Sequence, residues 1–140
     1  MFNKISVYLT ISGFDFEPEE ITALLGIIPS KIRKKGQPII PKGNPNYQYK
    51  DNHWSLKSLS DDSLDLAKHI ESIFEQVKEK WHLLVDLGNQ YYTEIECAIY
   101  IYNDSEQPIP IIHLDKEITQ KLAELNAELD IDLYVLSGKT

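Results

Sequence analysis

The chain has 140 residues, 42% apolar and 26% charged, which suits one globular domain with its own core and excludes a disordered or membrane-spanning composition. Twenty-two acids against 14 basic residues give a formal charge of −8, and a single cysteine, Cys97, excludes an internal disulfide and fits a reducing compartment. Alternation through MFNKISVYLTISGF argues against a signal peptide and no apolar run nears spanning length, so a cytoplasmic protein without a membrane role is expected.

In chain order, KISVYLTIS alternates with period two. Ile5, Val7, Leu9 and Ile11 face one way and Ser6, Tyr8, Thr10 and Ser12 the other, which predicts a strand with one buried face. FEPEEITALLGI predicts a short helix, with Pro18 in its first turn, acids at its N-terminus, an apolar stripe of Ile21, Leu24, Leu25 and Ile28, and a stop at Gly26 and Pro29. Residues 29 to 53 concentrate proline (Pro29, Pro38, Pro41, Pro45) beside Gly36 and Gly43, so their middle is expected to be a loop. Its flanks, KIRKKG and NHWSLKS, are expected to pair as a hairpin around that excursion.

SDDSLDLAKHIESIFEQVKEKWHLLVDLGN is the longest helical signal. Leu66, Ile70, Ile73, Phe74, Val77, Trp81 and Leu84 recur at three and four, with Asp61, Asp62 or Ser63 as cap, Gly88 as stop and a tolerated break at Lys78–Lys80. YYTEIECAIYIY predicts a second strand, with Ile95, Cys97, Ile99 and Ile101 inward and Glu94, Glu96, Ala98, Tyr100 and Tyr102 outward. A turn at NDSEQP, a short apolar piece IPIIHL, and a helix in LDKEITQKLAELN carrying Ile118, Leu122 and Leu125 follow. Last, LDIDLYVL alternates Leu129, Ile131, Leu133 and Val135 against Asp130, Asp132, Tyr134 and Leu136. The phrases EITALL and EITQKL, each after an alternating strand, suggest a strand–helix–strand unit used twice, with chance similarity of amphipathic helices as the competing reading.

Strands with one apolar face, separated by helices, imply a single two-layer α+β domain over residues 1–140. Its sheet is expected to be mostly antiparallel, with helices on one face, related to the ferredoxin-like arrangement. The uncovered face would then collect Tyr8, Thr10, Tyr100, Tyr102 and Tyr134 with Glu94, Glu96, Asp130 and Asp132. Tyrosine buries much area at small entropic cost, and interleaved carboxylates suit a basic protein partner. The competing reading is that tyrosine simply favours half-exposed strand positions and the acids keep the sheet soluble. A homodimer through this face is a further alternative.

The stretch KIRKKGQPIIPK holds Lys31, Arg33, Lys34, Lys35 and Lys42 without an acid, and the rest of the chain holds nine cations against 22 acids. That balance argues against general nucleic-acid binding, which needs clustered cations along a face. Lys31, Arg33, Lys34 and Lys35 are candidates for holding a small anion, with the Trp54 strand beside them, in an alternative reading of the chain as a small-ligand-binding or enzymatic domain that uses the basic loop 31–42; self-balancing of the domain's own acids is the plainer account. No phosphate loop, nucleophile–base pair or metal spacing stands out. His53, His69, His82 and His113 are isolated, Cys97 is expected to be inert packing, and no catalytic residue, metal or cofactor is assigned.

SVYLTISGFDFEPEEITALLGIIPSK, then the basic KKG, HWSLKS, IECAIYIY and LAELNAELDIDLYVL, in this order, resemble the bacterial domain-of-unknown-function family 4279 over nearly the whole chain. Glu17 stands before Pro18 where that family would more often carry Asp. The resemblance implies a bacterial cytoplasmic α+β domain and brings no catalytic residues. Small acidic domains of this kind include immunity proteins that cover a toxin's active surface, an analogy for the binding reading.

Overall fold

The computed structural model describes residues 2–40, 42–103 and 106–137, so Pro41 of the expected loop and Asp104 and Ser105 of the expected turn lie outside the described residues. Strand β1 (Lys4–Ser12) forms where the alternation predicts it, with Ile5, Val7, Leu9 and Ile11 buried. Helix α1 (Glu19–Leu25) starts after Pro18 with acids in its first turn and no side-chain cap, consistent with glutamate rather than aspartate at position 17. It ends at Gly26, whose φ of 65° is the left-handed conformation a side chain would resist. The buried stripe is narrower than the pattern suggested. Ile21 and Leu25 are buried, but Leu24 and Ile28 are exposed, because a helix this short turns only one narrow face to the core.

Strands β2 (Lys31–Arg33) and β3 (His53–Lys57) form the expected antiparallel hairpin, with Ile32 opposite Trp54. The excursion between them continues as a loose hairpin, through hydrogen bonds such as Ile39 N–H to Tyr47 C=O and Tyr49 N–H to Gln37 C=O. Asn52, which no sequence pattern marks, clamps its base. Its amide donates to the carbonyls of Phe14 and Phe16, and its Oδ1 accepts from Lys35 N–H.

The long helical signal becomes α2 (Leu66–Val77), a 3₁₀ turn at Lys78–Lys80, and α3 (Trp81–Gln90), so the break falls at the tolerated position. Its two ends differ from expectation. The cap is Asp65, whose carboxylate accepts from Ala67 N–H, rather than Asp61, Asp62 or Ser63. The reason is His69: its Nε2 lies 2.8 Å from the Ser63 carbonyl and its Nδ1 2.8 Å from Ser58 Oγ. A carbonyl only accepts, so Nε2 carries the proton, and the segment before Asp65 is wound around a buried histidine instead of entering the helix. Gly88 does not stop α3 but lies within it. A Cβ there would stand 2.0 Å from the Leu125 carbonyl oxygen, so glycine permits close approach of the turn at Leu125 that leads into the last strand.

Strand β4 (Tyr92–Tyr102), helix α4 (Lys116–Glu124) and strand β5 (Ala127–Leu136) complete the chain. Asp115 caps α4 through Ile118 N–H. Asn126 turns into β5 at φ 53° and donates its side-chain amide to the Gly88 carbonyl.

The sheet order is β2-β3-β1-β4-β5, antiparallel except for the parallel β4–β5 pair. The first four strands have the split β-α-β order of ferredoxin-like domains, and α4 with β5 adds a parallel edge. The suggested repeat is only partial: β3 separates β1 from β2, whereas β4 and β5 are neighbours. What EITALL and EITQKL share is a burial spacing, Ile21 with Leu25 and Ile118 with Leu122. Trp54 lies fully buried in the core and donates its indole N–H to Thr22 Oγ1 at 3.0 Å. One expected core face fails. Leu129, Ile131, Leu133 and Val135 are exposed, because β5 is outermost and the helical layer leaves all but its first residue uncovered.

Ala normally stabilises a helix interior over Gly by about 1 kcal/mol. Gly88→Ala is expected to reverse that sign, destabilising the domain by about 1–3 kcal/mol through overpacking against Leu125. Urea denaturation at fixed m-value checks it.

Candidate functional site

Side chains two apart on a strand share a face, so the register fixes what gathers on the side of the sheet away from the helices. Reading from β2 toward β5, one row runs Lys31, Ser55, Thr10, Glu94, Glu128. The next holds Lys57, Tyr8, Glu96 and Asp130; then come Ser6, Ala98 and Asp132, and then Lys4, Tyr100 and Tyr134. Arg33, His53, Ser12 and Tyr92 close the opposite end. Charge therefore changes sign across the face, cationic over β2 and β3 and anionic over β4 and β5. Small residues at Ser6 and Ala98 between large ones leave a shallow depression of about 660 Å³, rimmed by Tyr8, Lys31, Glu96, Tyr100, Asp132 and Tyr134 among others.

Tyr8, Glu94, Glu96, Tyr100, Asp130, Asp132 and Tyr134 thus lie on one open face. Tyr100 and Tyr134 stack with centroids 5.1 Å apart and planes at 14°, forming a flat aromatic platform. Tyr102 sits at the end of β4, lining a smaller hollow with Phe2 and Lys4. Thr10 is on this face but 97% covered, its hydroxyl 2.8 Å from Ser55 Oγ, so it is structural rather than available to a partner. Glu128 and Tyr92 belong to the acidic half. Each lies two residues before a predicted site residue, so extending the period-two pattern by one step at Asp130 and Glu94 finds them.

The carboxylates act on one another. Partial burial raises the Glu94 carboxyl above its ordinary range; Tyr92 opposes this by donating a hydrogen bond, while Glu96, Asp130 and Glu128 add repulsion. Hydrogen bonding to Glu128 and Glu94 in turn pushes the Tyr92 phenol upward. On the cationic half, burial followed by Arg33 lowers Lys31, with Glu96 opposing. Burial and Arg33 also lower His53.

The basic stretch does not form one anion site. Lys31 and Arg33 lie on the open face, with Lys31 Nζ 4.2 Å from the Tyr8 ring centroid and the Arg33 guanidinium 5.1 Å from that of Tyr49. Lys34 instead bridges Glu17 at 3.1 Å and Glu19 at 2.9 Å beside the start of α1, and Lys35 is exposed. Trp54 of the proposed anion-lining strand faces the core. Cys97 is buried, and desolvation pushes its thiol up to about 12. Among the described residues, no group of three or more His, Cys, Asp or Glu side chains has metal-holding geometry, and no helix is long and apolar enough to cross a membrane.

A two-layer α+β domain with a charged, tyrosine-bearing open sheet face is the class this structure defines. The family model described as Domain of unknown function (DUF4279) matches residues 3–136, and the chain belongs to that family. No curated protein and no solved structure matches it significantly.

A carboxyl raised in the folded state favours its protonated form there, so its unfavourable contribution appears as pH climbs through the unfolded and then the folded pKa. Glu94→Gln, which still accepts from Tyr92, is expected to stabilise the protein at neutral pH. The gain should vanish below about pH 4, where both forms are protonated. Because burial is the leading cause, added salt should reduce the gain only in part. Thermal unfolding across pH reads the effect.

Proposed function

We propose that this domain is a protein-docking module whose open sheet face receives a basic partner surface. The observation that carries this reading is one uncovered face bearing the stacked Tyr100–Tyr134 pair and the carboxylates of Glu94, Glu96, Asp130 and Asp132. Rigid aromatic area surrounded by like charge is the pattern of an interface centre with an electrostatic rim. Glu96, Asp130 and Glu128 repel the Glu94 carboxylate in the free protein, and Lys or Arg side chains from a partner relieve that repulsion.

The expected setting is the bacterial cytoplasm. A toxin-neutralising, immunity-type role suits the geometry, since such proteins cover a basic active surface with an acidic one. A gene for that partner beside this one would then be expected.

Capture at low salt on immobilised protein, followed by identification of what elutes, provides the partner. Its affinity is expected to fall with salt and to drop about tenfold or more in the double variant Tyr100→Ala with Glu96→Lys. Unchanged affinity in that variant removes the basis of the reading.

A further inference from the structure

Strand β5 ends the sheet, and among the described residues nothing pairs with its outer edge. The Leu136 carbonyl accepts from Asn103 N–H on the β4 side. Backbone groups alternate sides along a strand, so those of Leu129, Ile131, Leu133 and Val135 turn to the free edge. Sheet edges are ordinarily blunted by charged side chains, Lys above all, or by Pro, a bulge or shortness. The charges here are the acids Glu128, Asp130 and Asp132, which repel another acidic strand but not a basic one. AELDIDLYVL contains neither Lys nor Pro, runs ten residues, and keeps an unbroken one-to-one register with β4 from Thr93–Ala127 to Tyr102–Leu136. Its helix-side face is also unusually bare, with Leu133 55% and Val135 62% exposed.

The charge pattern selects what fits this edge. An added strand places side chains directly opposite those of β5, about 5 Å away at Cβ. On the open face it meets Glu128, Asp130 and Asp132; on the helix side it meets Leu129, Ile131, Leu133 and Val135. A second copy of β5 laid antiparallel fits less well. Registers centred from Glu128 to Asp132 set carboxylate directly against carboxylate. One centred on Leu133 avoids this and pairs seven residues, 130–136, but holds the two Asp132 carboxylates diagonally about 7–8 Å apart with no cation between them, and registers beyond it pair five residues or fewer. A segment alternating cationic and apolar side chains satisfies both faces in every register of the right parity.

We propose that the β5 edge captures an extended segment of alternating Lys or Arg and apolar residues, adding it to the sheet as a sixth strand. This rests on the reading of the open face as a receptor for a basic partner and states how that partner is held. Backbone hydrogen bonds supply the affinity, and the two alternating faces supply the selectivity.

The test uses the whole chain and the peptide Lys-Val-Lys-Val-Lys-Val-Lys, in three forms: unmodified, N-methylated at the valines, and N-methylated at the internal lysines. A strand bonds its neighbour through alternate residues, so one methylated peptide should bind about tenfold or more weaker than the other, while the unmodified one protects β5 amides from hydrogen exchange. Equal binding of all three, still weakened by salt and by Glu96→Lys, overturns edge addition while leaving the acidic face as a receptor. Binding indifferent to salt and to Glu96→Lys overturns that underlying reading as well. No binding of any peptide, or a dimer by sedimentation whose formation protects the same β5 amides, overturns the proposal.

Discussion

Ile5, Val7 and Leu9 of β1 stand directly opposite Ile99, Cys97 and Ile95 of β4, and all six are buried beneath the helices. Each such aliphatic side chain contributes about 1.5–3 kcal/mol on burial, far more than any pair of charges on the wet side. Parity then dictates the rest: a slip of one residue would drive Tyr8, Glu94 and Glu96 into the core and lift this cluster into water. The layout of the open face is therefore not set by the charges on it. It follows from the apolar register behind it, which is why carboxylates that repel one another are nevertheless held side by side.

The same constraint explains why an acidic chain carries a cationic stretch. β2 and β3 lie at the far side of the sheet from β5, so Lys31, Arg33 and Lys57 face outward two or more strands from the acids and meet aromatic rings instead. Among the described residues, Lys34 alone of the predicted anion-binding cations is bridged to carboxylates, those beside α1. The result is a surface with a built-in dipole, positive over one edge and negative over the other, rather than a uniformly negative one.

Most of the secondary structure was legible because it is written in spacing: two for β1, β4 and β5, three to four for the helices. What spacing cannot express is a contact with a distant residue. Gly88 reads as a helix stop, yet its meaning lies in the Leu125 carbonyl that packs on it. His69 reads as an isolated histidine, yet its two ring nitrogens decide where α2 begins. Leu129 to Val135 alternate as a buried strand does, but whether a helix covers the inward set depends on strand order, which alternation leaves open. The open face was recognisable down to its tyrosines and carboxylates for the opposite reason: parity alone assigns residues to it. Thr10 shows the limit, since outward direction did not reveal that its neighbours close over it.

Cys97, the one cysteine of the chain, sits mid-strand with its thiol buried and its ionisation pushed up to about 12. At neutral pH almost none of it is thiolate, the form that reacts with alkylating and disulfide reagents. Burial and the raised thiol pKa together predict slow reaction of the folded protein with maleimides. A cysteine introduced at any wet position becomes a unique attachment point for a fluorophore or spin label, and reaction at Cys97 itself becomes a clock for opening of the β1–β4 seam.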